Sequence, residues 1–170
     1  MRRICFHAAI SLDGYIAGPN GEYDWIVPDP EIDFVAIFSQ FDTLLAGRRT
    51  FELMVKQGNT VMPGMKTIVF SKTLRQQDHP EVTIVPGAVK ETVASLRAKP
   101  GKDILLFGGA ALFQSFLNVG LVDALELGVI PVLLGEGIPL LPPPAKQTKL
   151  KLTNHKAYKS GIVMLTYDVA

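Results

Sequence analysis

The chain has 170 residues, of which 48% are hydrophobic and 19% are charged, and this composition excludes an intrinsically disordered protein. Its 17 basic and 16 acidic side chains give a formal net charge of +1, which does not favour a nucleic-acid binder. The single cysteine, Cys5, excludes an intramolecular disulfide framework and a zinc site made of several thiolates from one chain.

The length suits one compact unit, so we expect residues 1–170 to form a single domain. No apolar stretch approaches the roughly 20 residues that a membrane-spanning helix needs. The basic start, residues 1–3, is followed by an apolar run that is too short for a signal peptide. We therefore expect a soluble cytoplasmic protein that binds neither membranes nor nucleic acid.

Short apolar runs alternate with helical patterns along the chain. Helices are predicted to begin near residues 29, 48, 89 and 110, the first of them capped by Asp29 with Pro30 in its first turn. Breaker residues predict loops at 13–23 and 135–144. This order predicts an α/β fold with a mostly parallel sheet and an antiparallel C-terminal pair. The predicted strands are residues 4–10, 43–46, 67–70, 82–85, 103–107, 124–130, 149–156 and 162–168.

The first candidate site is the junction 47–50, Gly-Arg-Arg-Thr, where a strand runs directly into a predicted helix. A helix start offers unpaired backbone N–H groups and the positive end of the helix dipole, and guanidinium groups bind phosphate. The junction therefore indicates a phosphate site, although a solvated helix start with two surface arginines has the same pattern. The adjacent Arg48 and Arg49 suit a phosphate monoester better than a ribose diol.

The second candidate site is the junction 107–110, Phe-Gly-Gly-Ala, between a buried strand and a helix. Paired glycines allow another backbone, or a pyrophosphate, to approach closely, and a tight packed turn is the alternative. The pattern is not the dinucleotide fingerprint, because no G-x-G-x-x-G follows the first strand.

The long loop after the first strand is the third region of interest, because it contains Asp13, Asn20, Asp24 and the single tryptophan, Trp25. It is either a lid over a flat ring or an ordinary surface loop that Trp25 holds against the core. His7, by contrast, has no cluster of possible metal ligands nearby, so we expect a buried structural histidine and no metal site.

Together these segments resemble the dihydrofolate reductase superfamily, and most of all the reductase domain of bifunctional riboflavin-biosynthesis deaminase-reductases and its free-standing relatives. The likeness rests on residues 11–17, 47–52, 68–71 and 103–113. It implies a dihydrofolate-reductase-like fold: a mostly parallel eight-stranded sheet with helices on both faces and an antiparallel C-terminal strand pair.

The resemblance also implies NADPH as the cofactor, with its 2′-phosphate region held by Arg48, Arg49 and Ser71. It places the nicotinamide and its ribose near Ala9, Ile16 and Ala17. The pyrophosphate is expected along Gly108, Gly109, Ala110 and Leu112. The remaining implied cofactor contacts are Gly47, Thr50, Lys72, Phe107 and Phe113.

In riboflavin-type relatives the substrate is 5-amino-6-(5-phosphoribosylamino)uracil, whose ribose is reduced to a ribityl chain. We expect hydride transfer to a C=N or C=O carbon of a small heterocycle or an opened sugar. Asp13 is the first candidate for a substrate contact or proton relay, and Asp33 is the second. Trp25 and Phe51 are expected to shape the ring pocket.

Two alternatives remain open. One is dihydrofolate reductase-like activity, because folate reductases carry an acidic residue on the first helix, where Asp29, Glu31 and Asp33 lie in this chain. The other is a non-catalytic NADP-binding module, which would use the same phosphate motifs. Relatives are often dimeric, so a homodimer is expected.

Overall fold

The computed structural model describes residues 1–170, and its helices and strands follow the predicted order. There are four α-helices and one short 3₁₀ turn at Gln76–Asp78; the helices are α1 Phe34–Phe38, α2 Arg48–Lys56, α3 Val89–Arg97 and α4 Ala110–Asn118. None of the helices is long and apolar enough to cross a membrane. The ten strands are β1 Ile4–Ser11, β2 Tyr15–Ala17, β3 Phe41–Gly47, β4 Lys66–Phe70, β5 Thr83–Val85, β6 Asp103–Gly108, β7 Ala124–Ile130, β8 Ile138–Pro139, β9 Leu150–Ala157 and β10 Val163–Val169.

Eight of the strands form one sheet in the order β5-β4-β3-β6-β1-β7-β10-β9. The six strands from β5 to β7 are parallel, whereas β10 runs antiparallel to both β7 and β9. The predicted fold class is therefore confirmed. The central strands β3, β4 and β6 are mostly buried and apolar, as expected where helical crossovers cover a sheet.

Helices cover both faces of the sheet. Leu45 of β3 packs with Phe113 of α4 in the largest core cluster, which also includes buried residues of α3. The preceding residue, Leu44, packs with Met54 of α2 and with Phe38 of α1 in a second cluster. Because successive side chains of a strand point to opposite faces, α3 and α4 lie on one face, and α1 and α2 lie on the other.

The predicted start of the first helix is wrong by about one turn. Asp33, rather than Asp29, is the N-cap of α1, and its carboxylate accepts a hydrogen bond from the N–H of Ala36. The carboxylate of Asp29 instead accepts hydrogen bonds from the N–H of Glu31 and from Ser160. This long-range contact holds the Asp29 turn outside the helix, so α1 is only five residues long.

A small second sheet joins two segments that the sequence predicts as loops. Tyr15 of β2 pairs with Pro139 of β8, and Ala17 pairs with Ile138. Segments of three and two residues carry too little pattern to predict a strand, and their partners are distant in the chain. The pairing fixes the loop after β1 beside the loop after β7.

Candidate active site

Two helices begin side by side at the carboxyl edge of the sheet. Neighbouring strands β3 and β6 pair Ala46 with Gly108, and α2 and α4 begin directly after them, at Arg48 and Ala110. The two helices then pass to opposite faces of the sheet, so a crevice opens between the strand ends. Such a topological switch point is where open α/β sheets bind their ligands.

Glycines keep this crevice narrow and its backbone accessible. A Cβ atom on Gly47 would lie 3.7 Å from the carbonyl oxygen of Gly108, and a Cβ on Gly109 would lie 3.4 Å from Oγ1 of Thr50. Gly108 has a φ of +123°, which disfavours any residue with a side chain. Neither helix start has a capping side chain, so its first N–H groups are free to bind an anion.

Arg48 connects the start of α2 to the turn after β4. Its Nε donates to Oε1 of Glu52 at 2.8 Å, and its Nη1 donates to Oγ1 of Thr73 at 2.8 Å. Ser71 is buried, and its Oγ accepts hydrogen bonds from the N–H groups of Thr73 and Leu74. The turn at 71–74 is thereby held next to the arginine pair.

Arg49 and Lys72 extend this edge toward solvent. Both side chains are exposed, and neither forms an ion pair with an acidic side chain of the chain. The arginine pair therefore contains one guanidinium that is already engaged, Arg48, and one that is free for a ligand, Arg49. This geometry suits a phosphate monoester at the outer end of the crevice.

The side chains of two predicted ligand contacts, Phe51 and Phe113, belong to the core. Phe51 is fully buried against Val69 and lies edge-on to His79 with ring centroids 5.0 Å apart. Phe113 is 2% exposed and stacks on Phe6 with ring centroids 3.9 Å apart. Each aromatic ring lies on the inward side of its amphipathic helix, where it contacts the sheet instead of the crevice.

The other predicted residues of this junction lie at varying depth. Phe107 is half-buried and packs on the cluster around Leu44, and Leu112 is half-buried against the main core. Ala110 is 6% exposed, so its backbone N–H rather than its methyl group is the part that a ligand can reach. Thr50 is half-buried beside the two glycines.

A mostly apolar cavity of about 190 Å³ lies on the α1 side of the sheet, near the carboxyl ends of β1 and β7. Its floor contains Ala9, which pairs with Gly128 of β7, which in turn pairs with Met164 of β10. Ala9 and Gly128 are small, and they leave space that larger side chains would fill. The segment 26–29 and Phe34 cover the cavity, so it is the natural place for a small ring.

The same floor carries a histidine–carboxylate pair that sequence reasoning did not assign to the site. His7 lines the cavity two residues before Ala9 on the same face of β1, and it is 8% exposed. Its Nδ1 lies 3.5 Å from Oε2 of Glu126, its Cα partner on β7, and its ring meets Phe38 edge-on. The period-two spacing of His7 and Ala9 was the available signal, but the Glu126 partner depends on the strand register.

Asp29 is the acid that the fold brings to the cavity, and Asp33 is not. Asp29 is 7% exposed and lines the cavity wall. Hydrogen bonds from Ser160 and from the N–H of Glu31 hold the pKa of its carboxyl below the ordinary value. Asp33 is exposed and occupied as the cap of α1, so its proposed role as a substrate contact or proton relay has no support in this geometry.

Asp13 holds two loops together. Its carboxylate accepts hydrogen bonds from Oγ of Ser11 and from the N–H groups of Leu134 and Gly135. These donors, Ser11 first, lower its pKa to about 2. A carboxyl with that pKa has no proton to give at neutral pH, so the geometry favours a positioning role for Asp13 over a proton relay.

Trp25 holds the loop against the core. Its Nε1 donates to the carbonyl oxygen of Glu22 at 2.9 Å, and its ring packs on the cluster of Ile32, Ile130 and Ile162. That cluster forms part of the cavity wall, so Trp25 supports the cavity from behind. The predicted nicotinamide contacts Ile16 and Ala17 lie half-buried in β2.

The chain matches the model of the RibD C-terminal domain over residues 2–164. The uncharacterized protein YyaP of Bacillus subtilis is 38% identical over 178 aligned positions, which cover 98% of this chain and 94% of that protein. The riboflavin biosynthesis protein RibD of Corynebacterium ammoniagenes is 28% identical over 82% of this chain, and the match spans 46% of its own length.

Solved structures have the same fold. A protein from Shewanella sp. PV-4 is 30% identical, with a TM-score of 0.85 over 100% of this chain and 99% of that one. Dihydrofolate reductase from Enterococcus faecalis, solved with NADP(H), has a TM-score of 0.71 at 20% identity and covers 98% of this chain and 96% of that one. The resemblance to the reductase domain of riboflavin-biosynthesis proteins is confirmed by the family match, and the dihydrofolate reductase shares the fold.

Proposed function

Since the chain belongs to the RibD C-terminal domain family, we propose that it is a reductase that uses NADPH to reduce a small substrate in the apolar cavity. The family points to an oxidoreductase. The observation that carries the proposal is the pair of uncapped helix starts at adjacent strand ends, with two arginines at one of them. The cavity lies on the neighbouring strands of the same sheet edge, which supports a substrate site next to the proposed cofactor site.

The residues at the crevice fit a dinucleotide phosphate. The backbone of Gly108, Gly109 and Ala110 would hold the pyrophosphate, because the start of α4 has no capping side chain and its first N–H groups are free. Arg49, supported by Arg48, would bind the 2′-phosphate. Gly47, Ser71, Lys72 and Leu112 would complete the wall, with Ala9, Ile16 and Ala17 at the nicotinamide end.

When bound, NADPH supplies a hydride to the substrate carbon. The chain orients the reacting groups and excludes water: β2 and β8 fix the loop beside β1, and the segment 26–29 covers the cavity. Asp29 presents a carboxylate that can accept a hydrogen bond from a ring N–H. We propose 5-amino-6-(5-phosphoribosylamino)uracil as the first substrate to test, because the family resemblance implies it.

The test combines binding with turnover. Titration with NADPH and NADH should show tighter binding of NADPH, and loss of NADPH absorbance on addition of the aminopyrimidine should show reduction. Dihydrofolate in its place tests the folate alternative. Binding without turnover of either substrate would favour a non-catalytic NADP-binding module, and the absence of any dinucleotide binding would contradict the proposal.

We also propose that the protein acts as a cytoplasmic homodimer. Relatives are often dimeric, and β9 is an open sheet edge at which each of the eight residues is exposed. An unpaired edge strand can pair with a second chain. Light scattering measures the mass directly, and a mass of 18.5 kDa would contradict the dimer.

A further inference from the structure

We infer that His7, held by Glu126, donates the proton that accompanies hydride transfer in the cavity. This inference rests on the proposed reductase function and names a residue for a step that the predicted acids do not perform. The carboxylate of Asp13 joins two loops, and the carboxylate of Asp33 caps α1. Asp29 lines the cavity, but its carboxylate already accepts hydrogen bonds and its pKa is lowered, so it is ionised.

One ring nitrogen of His7 faces Glu126, and the other is available to the cavity. Nδ1 is wholly buried without a hydrogen bond, and it lies 3.5 Å from Oε2 of Glu126. Nε2 has no hydrogen-bond partner in the protein and is not fully buried. Because His7 lines the cavity, Nε2 is the nitrogen available to a molecule there. A distance of 3.5 Å is long for a hydrogen bond, but such contacts in ligand-free sites often tighten when substrate binds.

The position along β1 matches the reaction. His7 and Ala9 are two residues apart on the same face, and Ala9 is the residue proposed to lie beside the nicotinamide. The side chain of His7 therefore lies one step deeper along β1 than Ala9, where the nicotinamide would lie. A carboxylate that orients one imidazole nitrogen while the other faces the substrate is a recurring arrangement in acid–base catalysis.

The charged groups around His7 are few. Glu126 on β7 faces Nδ1, and Asp29 lines the opposite wall of the cavity. Cys5 is next on the same face of β1, and burial, followed by the charge of Glu126, raises the pKa of its thiol to about 12, so it stays neutral. Phe38 from α1 and Met164 from β10 are uncharged. An imidazolium at position 7 therefore has carboxylates, and no competing cation, around it.

The proton moves from Nε2 of His7 to the substrate. As the hydride adds to a C=O or C=N carbon, the π electron pair moves to the oxygen or nitrogen, and that atom forms a new bond to the proton of Nε2. The Nε2–H bond breaks and its electron pair stays on His7, which becomes neutral and keeps the Nδ1 proton facing Glu126. Solvent returns the proton to Nε2 after the product leaves.

The first test uses His7→Gln and Glu126→Gln with the aminopyrimidine as substrate, and His155→Gln, on the exposed strand β9, as the matched control. A positioned general acid contributes about 10²-fold to 10⁴-fold to the rate, so kcat should fall by that factor in His7→Gln. NADPH affinity and KM should stay close to those of the parent protein. Glu126→Gln should move the alkaline limb of the rate profile to lower pH, which a merely structural role would not do.

The second test does not depend on turnover. In ¹⁵N NMR of histidine-labelled protein, with His79 and His155 as internal references, Nδ1 of His7 should carry a proton. Its Nε2 signal should shift when NADP⁺ and the aminopyrimidine are added together. The Glu126→Gln variant should change the Nδ1 signal, and this variant keeps the test decisive if His7→Gln fails to fold.

The outcomes separate the two proposals. If the wild-type protein binds both ligands but reduces nothing, the proposed function fails, and the NMR signals still support or overturn the assignment of His7. If the wild-type protein is active, a His7→Gln variant with the kcat of the parent overturns the inference alone. An unprotonated Nδ1, or an Nε2 signal that ignores the aminopyrimidine, overturns it in either case.

Discussion

Oδ2 of Asp13 accepts a hydrogen bond of 2.8 Å from the backbone N–H of Gly135, 122 residues later in the chain. Its other oxygen accepts hydrogen bonds from Leu134 N–H and from Ser11. These contacts hold the end of β1 next to the loop before β8, where β2 pairs with β8. Asp13 thus joins the loop after β1 to the loop after β7.

Replacing Asp13 with asparagine should make the free energy of unfolding less dependent on pH in the acid range. The folded-state pKa of about 2 is below the ordinary value of 3.8, so the carboxylate stabilises the fold fully above pH 3.8 and loses this effect as the pH falls through about 2. We expect wild-type protein to have the larger free energy of unfolding at neutral pH, with the difference shrinking over that window. Urea titrations at several pH values measure it.

Asp24→Asn is the matched control for that experiment, because Asp24 is an exposed acid in the same loop. It should show no comparable difference from the wild type. A gap between wild type and Asp13→Asn that stays constant from neutral pH to pH 2 would refute the role of the ionised carboxylate.

Replacing Arg49 with alanine should weaken the binding of NADPH more than the binding of NADH. Hydrogen bonds to charged groups are worth about 1.5–3 kcal/mol, which corresponds to about 10-fold to 100-fold in affinity. Arg48→Ala should have a smaller effect, because Arg48 already binds Glu52 and Thr73. Calorimetric titration with both dinucleotides measures the difference.

Arg75→Ala serves as the control for the arginine variants, since Arg75 pairs with Asp78 on the 3₁₀ turn. It should leave both affinities unchanged. Equal losses for NADPH and NADH in Arg49→Ala would show that Arg49 does not read the 2′-phosphate.

Filling the cavity at Gly128 should weaken substrate binding, whereas the proposed phosphate contacts at the starts of α2 and α4 are left intact. A Cβ at this position would lie 3.2 Å from Sδ of Met164, a flexible side chain that can yield, and the branches of a valine would occupy the space above Ala9. We expect Gly128→Val to raise KM for the substrate strongly. The double variant Gly128→Val with Met164→Ala should recover part of the activity because it restores volume, and a fully active Gly128→Val would place the substrate elsewhere.

Replacing Phe113 with alanine should lower the free energy of unfolding and leave the affinity for NADPH unchanged. The ring is 2% exposed and stacks on Phe6, and removal of a buried phenylalanine costs about 3–5 kcal/mol of unfolding free energy. Denaturant titration of Phe113→Ala measures this loss, and NADPH affinity of the folded fraction should stay unchanged. A stable variant with weak NADPH binding would restore Phe113 to the cofactor site.

Local patterns were enough to predict the eight strands of the main sheet and the four helices. Apolar runs of four to eight residues bounded by glycine, proline or asparagine are typical of buried strands. The two helix starts with their glycines and arginines were visible for the same reason, because a helix start and its charged residues are adjacent in sequence. The helical spacing of the neighbouring apolar residues also places Phe51 and Phe113 on the inward faces of their helices.

The amino-acid sequence by itself therefore determined the α/β class, the helix starts at Gly47 and Gly109 and the family resemblance, since these follow from spacing along a few residues. Only the tertiary structure decided that Ala46 lies beside Gly108, that Asp29 rather than Asp33 reaches the cavity, and that His7 faces Glu126. These relations depend on strand order, register and contacts between residues far apart in the chain. Their energies arise only when the whole sheet has formed, so no local pattern carries them.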